Sequence, residues 1–439
     1  MSEEKNEDIT THEEFKEAVE YAVSVEQDTA DVAGVRVAET PDETMSDILA
    51  DWWRRVKVGD LGSLPIIIGL LLIAVIFGAI QPLFFSPRNF VNLLLQMAGV
   101  TTIAIGVVFV LLIGEIDLSI GYVSAVAAVM TVLLLRLDGP NLPWPAAIGI
   151  ALISVCIIGI LQGWIITRTG AHSFVVTLAG LLVWSGVVLI MTTVYSTAGT
   201  IIIQDEVVVG IANQFLPAEW GWALWAITNL VFVYSRISRY RALQRQNLST
   251  GPISLLVIQI LAVALATGAA VFWANQDRGV PVVFIIVLFF LLIWTLVADR
   301  TRFGRYVYAV GGNQEAARRA GINVNRIRVM VFMITSFMAG VGGIILASRL
   351  RSVDTATGGG NLMLNAIAAA VIGGTSLFGG VGFVMSALLG GLIIAAVENG
   401  MGLLGLPSGV KFVVNGLVLL AAVLIDALSR RRRESSGIV

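Results

Sequence analysis

The sequence predicts an all-α, polytopic membrane protein with about 10–12 transmembrane helices, some of them interrupted or re-entrant, and with both termini cytoplasmic. Three observations carry that prediction. Apolar residues make up 57% of the chain and charged residues 13%, with a mean hydropathy of +0.87, against roughly a quarter charged in soluble domains. Apolar runs of about 20 residues, the length a bilayer core requires, recur down most of the chain. The arginines, finally, gather in alternate loops.

Charge divides the chain. Residues 1–51 hold sixteen Asp and Glu against Lys5, Lys16 and Arg36, whereas residues 52–439 hold fourteen acids against twenty-five bases. The expected organisation is an acidic cytoplasmic extension over 1–60, a transmembrane domain over 61–430 and a short basic tail over 431–439. In the extension, Thr11 and Glu14 fit a capping box, with Phe15, Ala18, Val19 and Ala22 following at helical spacing, so a short helix is expected near 11–24. Residues 27–43 read as flexible, and the whole stretch 1–43 reads equally well as an unordered tail. Met45, Ile48, Leu49, Trp52 and Trp53 make an apolar stripe that ends in Arg54, Arg55 and Lys57, the pattern of an interfacial amphipathic helix over 44–57. No basic n-region followed by an apolar h-region occurs early in the chain, so no cleavable signal peptide is expected.

Twelve spans can be placed, at 64–85, 93–113, 119–135, 144–166, 174–194, 220–235, 252–274, 281–298, 329–348, 364–380, 383–400 and 410–428. With the N-terminus inside, nineteen Lys and Arg fall on the inner side, seven of them between Arg300 and Arg328, against five on the outer side. That asymmetry is what the positive-inside rule reads as orientation. Cys156 stands alone in an apolar run and is expected to be a small buried hydrophobe, and His12 and His172 lack metal-ligand spacing.

Two segments make poor ordinary helices. Residues 373–382 contain five glycines, and irregular backbone at membrane depth requires surrounding protein or a water-filled cavity. Residues 113–121 look similar and share four of nine residues with 372–380, so the two are candidates for matching interruptions in two halves of a transport protein. Glu115 and Asp117 are the acids nearest the apolar interior, where an ionised carboxylate costs at least about 2.5–3.5 kcal/mol. They either satisfy backbone N–H groups at the start of the third span, beside Ser119, or line a solute path. Asn361, Asn365, Gly373, Gly374 and Thr375 lie where the backbone is most irregular, and neutral amides and hydroxyls there suit a polyhydroxyl ligand and helix packing alike. Glu398 and Lys411 read as interfacial helix ends.

The inside loop 299–328 is the other informative place. Asn313 can cap a short helix with Glu315 in its first turn, Ala316 and Ala317 within it, Arg318 and Arg319 near its end, and Gly321 just beyond. Such a helix is a docking element for another protein or a plain basic connector. No Gly-x4-Gly-Lys-Ser/Thr motif occurs, and Lys5, Lys16, Lys57 and Lys411, the only lysines, sit in no such context, so any ATP that drives this chain binds elsewhere.

Three stretches then resemble the permeases of bacterial ribose- and xylose-type ABC importers. They are Gly114-Glu115-Ile116-Asp117-Leu118-Ser119-Ile120-Gly121, the run from Gly304 through Asn313 to Val324, and Ala366-Ile367-Ala368-Ala369-Ala370-Val371-Ile372-Gly373-Gly374-Thr375-Ser376-Leu377. The likeness runs from about residue 60 to the C-terminus, and the extra segment 236–274 with Asp277-Arg278-Gly279-Val280-Pro281 looks more like the xylose type. The resemblance implies a monosaccharide permease, for a pentose such as xylose, that works as a homodimer by alternating access. It implies a cytoplasmic ATPase that holds the ATP and Mg, an extracytoplasmic sugar-binding protein, no cofactor in this chain and no nucleic-acid partner. It makes Asn313 to Gly321 the coupling element on the ATPase. The family usually has Glu-Leu-Asp where this chain has Met363-Leu364-Asn365. A permease for nucleosides or branched-chain amino acids, and an ion-coupled secondary transporter with Glu115 and Asp117 as ion sites, are the competing readings.

Overall fold

A computed structural model describes residues 64–245 and 252–435. The acidic extension 1–60, with the helices expected near 11–24 and 44–57, lies outside those residues, as does the tail beyond 435. The described elements in chain order are α1 (Leu64–Ile80), a 3-10 turn (Pro82–Phe85), α2 (Pro87–Leu112), α3 (Ile120–Leu135), α4 (Trp144–Thr169), α5 (Ser173–Tyr195), β1 (Thr200–Ile202), α6 (Glu206–Asn213), α7 (Ala218–Arg245) and α8 (Ile253–Asn275). They continue with α9 (Val282–Arg300), α10 (Arg302–Gly312), α11 (Gln314–Arg319), α12 (Val324–Leu350), β2 (Ser352–Asp354), α13 (Leu362–Ile372), α14 (Met385–Leu403) and α15 (Ser408–Ser435). The described residues are therefore all-α apart from one short strand pair.

Seven helices, α2, α4, α5, α8, α9, α12 and α14, are long and apolar enough to cross a bilayer, and shorter apolar helices occur at Ile66–Ile80, Ile120–Leu135, Leu362–Ile372 and Ser408–Ala421. The remaining expected span, 220–235, falls within α7, whose end carries Arg236, Arg239, Arg241 and Arg245. The expected span 364–380 is not one continuous helix. α13 stops after 11 residues, about 16 Å or half a bilayer core, and 373–384 are irregular. α2 likewise ends at Leu112, and the connector 113–119 precedes an α3 of only 16 residues.

The described chain forms two compact units. One covers the described residues between 231 and 262, where Arg236 sits over the Phe232 ring at 5.3 Å. The other covers 64–230 and 263–435.

At the core of this larger unit α12 packs against α2, α3 and α4. Lipid offers no hydrophobic drive for helix association, so close backbone approach through small residues does that work. A Cβ on Gly343 of α12 would stand 2.0 Å from the Ser124 carbonyl oxygen of α3. α2 is buried without interruption from Met97 to Leu112. By contrast α5 buries Ser173, Thr177, Val188 and Thr192 and exposes Leu182, Val183, Ile190 and Val194. Three of these four buried residues carry hydroxyls while the exposed ones are aliphatic, the inverse of a soluble amphipathic helix and an arrangement suited to lipid contact.

Beyond the end of α12, β2 pairs antiparallel with β1, Ile201 opposite Val353. The Asp205 carboxylate caps α6 by accepting from the Val208 N–H at 2.8 Å. Ser348 of α12 then holds that helix: its hydroxyl accepts from the Ala212 N–H at 2.9 Å and donates to the Val209 carbonyl at 3.0 Å.

Candidate functional site

A cavity of about 600 Å³ opens among α2, α12, α13, α14 and α15, inside the range of about 300–1,000 Å³ typical of small-molecule sites. Seven of its lining residues are side-chain amides: Asn89, Asn92 and Gln96 from α2, Asn361 and Asn365 at the start of α13, Asn399 of α14 and Asn415 of α15. Arg349, Glu398 and Lys411 supply its charges. An amide ladder ties the wall together. Asn89 and Asn399 exchange hydrogen bonds at 2.8 and 2.9 Å, and Asn399 also donates to the Gln96 Oε1 at 3.4 Å.

Glu398, read from sequence as a helix end, sits in this wall. Its Oε1 accepts from the Asn365 Nδ2 at 2.7 Å and from the Asn415 Nδ2 at 3.1 Å. Of the two positions where the resembling family carries acids, only Asn365 lines the cavity. Met363 instead packs against the main apolar core, near Gly121 of α3.

Glu115, Asp117, Ser119, Gly373, Gly374 and Thr375 do not line the cavity. They lie toward the other ends of α2 and α13, about 12 Å from Asn365 to Gly373 along the α13 axis. Both breaks are built alike. Gly114 (φ +73°) donates to the Leu111 carbonyl, and the Glu115 N–H reaches the Val110 carbonyl at 3.0 Å. Gly374 (φ +103°) donates to the Val371 carbonyl, and the Thr375 N–H reaches the Ala370 carbonyl at 3.0 Å. These are glycine-terminated helix ends that satisfy carbonyls otherwise left orphaned in a low-dielectric interior. The sequence match of 113–121 with 372–380 pairs Gly114 with Gly373, so it is one residue out of register with the shared geometry. The two breaks also touch: the Gly380 N–H donates to the Leu112 carbonyl at 2.9 Å.

The acids near the first break are engaged. Glu115 forms a buried ion pair with Arg328 in the first turns of α12. Asp117 is 1% exposed, and its Oδ1 accepts from both the N–H and the hydroxyl of Ser119, at 2.8 and 2.7 Å. The Ser119 hydroxyl in turn accepts from the Gln162 Nε2 at 2.9 Å. Asp117 thus holds Ser119, the residue before α3, through one oxygen, and its Oδ2 has no hydrogen-bond partner among the described residues. Gln162 lies seven residues before the end of α4, about 10 Å in.

The basic loop 299–328 contains two short helices. The Asn313 Oδ1 accepts from the Ala316 N–H at 2.9 Å to cap α11, and Gly321, at φ +82°, ends it with its N–H on the Arg318 carbonyl. Ala317 is buried, while Glu315, Arg318 and Arg319 are exposed, with Glu315 lying 3.5 Å from Arg318 and 3.4 Å from Arg319. The preceding helix, α10, rests on both breaks. A Cβ on Gly311 would stand 1.7 Å from the Leu112 carbonyl oxygen and 2.6 Å from the Gly380 nitrogen. The Tyr308 hydroxyl donates to the Gly382 carbonyl at 2.9 Å. Burial, reinforced by the negative charge of Asp299, raises the Tyr308 phenol above its usual range and keeps that proton in place.

Asn89, Asn92, Gln96, Arg349, Asn399 and Asn415 are the residues sequence reasoning did not single out. For Gln96, Asn399 and Asn415 the signal was available, as amides within expected apolar spans that are costly in lipid and therefore turned inward; Asn89, Asn92 and Arg349 lie outside those spans and join the helices only in the structure. Buried hydroxyls at Thr101, Thr375 and Ser386, each without a hydrogen-bond partner among the described residues, lie on or between the helices joining the cavity to the breaks. An unsatisfied buried hydroxyl costs about 1–3 kcal/mol, so dry packing alone does not account for them.

A model of the family described as branched-chain amino acid transport system / permease component matches residues 89–423. The chain is 37% identical over 358 residues to the xylose transport system permease protein of Escherichia coli (strain K12), covering 80% of this chain and 87% of that protein. Identity is 33% over 381 residues to the xylose transport system permease protein of Haemophilus influenzae, covering 84% and 98%. It is 31% over 369 residues to the ribose import permease protein of Bacillus subtilis (strain 168), covering 84% and 94%. No solved structure matches the chain.

Proposed function

Since this chain belongs to the branched-chain amino acid transport system permease family, among its ribose- and xylose-type ABC sugar permeases, we propose that it forms the membrane path of an ATP-driven importer for a monosaccharide, a pentose such as xylose foremost. It is a multi-pass inner-membrane protein and a transport subunit. The cavity carries the substrate reading: its amides present donors and acceptors together, which matches ring hydroxyls, and its volume suits a small solute.

In this reading the cavity opens to the outside and receives sugar from an extracytoplasmic binding protein, while the arginine-rich end faces the cytoplasm. A partner ATPase holds ATP and Mg and seats α11 on its surface. Two copies of the chain work together by alternating access. Motion of α11 reaches the path through α10, because Gly311 and Tyr308 bear on Leu112, Gly380 and Gly382, which terminate or follow the helices of the cavity wall.

Two experiments test this reading. In a Cys156→Ser background, an impermeant thiol reagent added outside is expected to modify a cysteine at exposed Thr197 and to spare one at exposed Arg319; labelling of Arg319→Cys in sealed cells overturns the orientation. Glu315→Lys and Gly321→Pro are expected to abolish sugar uptake at normal membrane levels. The Glu315 ion pairs are exposed and contribute at most about 1 kcal/mol, so the first variant acts through docking rather than stability. Proline cannot adopt the positive φ at 321 and lacks the N–H that closes α11. Undiminished uptake in both removes the coupling assignment.

A further inference from the structure

The cavity wall carries a carboxylate of which the contacts between helices engage one oxygen. Glu398 faces the cavity from α14, and both amides that hold it, from Asn365 and Asn415, donate to the same oxygen, Oε1. No described residue hydrogen-bonds Oε2. Arg349 and Lys411 share the cavity, yet among the described residues neither forms an ion pair with Glu398 or with any other acid. A cavity-lining carboxylate clamped through one oxygen, with no described partner on the other, is a preorganised acceptor.

We propose that Glu398 is the specificity-determining residue of the cavity, its Oε2 accepting hydroxyl protons of a neutral polyhydroxylated solute, and that Asn365 and Asn415 are positioning residues that fix its rotamer. The inference rests on the sugar-permease reading and adds the ligand's charge class and the group that reads it. Asn365 matters to that arrangement because an amide can donate to Glu398. A carboxylate 2.7 Å away could not, and would set two like charges against each other.

Glu398→Gln tests the assignment cleanly. Glutamine retains a carbonyl oxygen to accept from both amides, so the wall keeps its internal hydrogen bonds, while the charge and one acceptor are lost. In cells carrying the complete transporter, the maximal uptake rate of radiolabelled xylose and ribose at saturating sugar is expected to fall at least about tenfold. Membrane level and thermal unfolding of the purified chain should be unchanged. A panel of monodeoxy pentoses is expected to be discriminated from the parent sugar by the wild type and much less by Glu398→Gln. Unchanged uptake in Glu398→Gln, with wild-type pentose uptake present, overturns this inference and leaves the permease reading standing. So does a loss of uptake that merely follows lost thermal stability. A wild-type preference for xylonate, the anionic acid of the same carbon skeleton, over xylose also overturns it. Absence of any monosaccharide uptake by the wild-type system removes the permease reading and this inference together.

Discussion

Arg328→Met is expected to destabilise the purified chain by about 3–5 kcal/mol, because it strands the Glu115 carboxylate without its partner in a buried site. The two side chains are 16% and 9% exposed, so solvent cannot take over the role of the guanidinium. Methionine matches the length of the arginine stem and fills its space, which confines the change to charge and hydrogen bonding. The double variant Glu115→Gln with Arg328→Met is expected to recover most of the loss, since replacing both members of a buried pair is often close to neutral. Thermal unfolding of the detergent-solubilised protein measures both. A double variant no better than Arg328→Met alone would mean that the pair is not the source of the effect. The pair joins the connector after α2 to the first turns of α12, nine residues beyond Arg319 at the end of α11.

Gly311→Leu is expected to abolish uptake, whereas Gly312→Ala, one residue along, is expected to leave it near wild type. The contrast comes from what a side chain would meet. At Gly311 even a Cβ collides with the Leu112 carbonyl oxygen at 1.7 Å and the Gly380 nitrogen at 2.6 Å, and these two atoms hydrogen-bond each other. The neighbours are backbone and cannot rotate away, so either α10 lifts from the breaks or the bond between the breaks opens. Overpacking of this kind costs about 1–3 kcal/mol or more. At Gly312 nothing lies within 4 Å. Uptake of xylose or ribose by cells with matched membrane levels reads the difference. Equal uptake in the two variants would show that the contact of α10 with Leu112 and Gly380 plays no part in transport.

Much of the architecture was legible before any coordinates. Every expected span overlaps a helix, although 364–380 is only half helical and 64–85 ends in a 3-10 turn, because apolar length is a local property that a bilayer demands segment by segment. The glycines of 373–382 announced irregular backbone for the same local reason. Hydropathy alone draws one span over 364–380, because Asn365, Thr375 and Ser376 are outnumbered by apolar residues, whereas α13 stops at those glycines. Asn313, Glu315 and Gly321 could be read as the cap, first turn and stop of α11 because all three signals lie within one short window.

The candidate site divided differently. Asn361 and Asn365 reach the cavity, but Glu115, Asp117, Ser119 and the glycine break do not. Glu398 was read as a helix end because its nearest sequence neighbours explain it that way, while its actual partners, Asn365 and Asn415, are 33 and 17 residues distant. Asn89 and Asn399, which exchange two hydrogen bonds, are separated by 310 residues.

By itself, then, the amino-acid sequence determined the membrane environment, the helix content, the places where helices stop and the capped helix of the basic loop. All of these follow from hydropathy, glycine φ and short-range capping, whose energies depend on residues close along the chain. Only the tertiary structure decided that the two breaks meet at Leu112 and Gly380 under α10, that Glu115 is spent on Arg328, and that the polar cavity is assembled around Glu398 from five helices. A buried polar group must find its partner wherever the fold brings one, and in lipid-facing helices that partner is as distant in sequence as the packing requires.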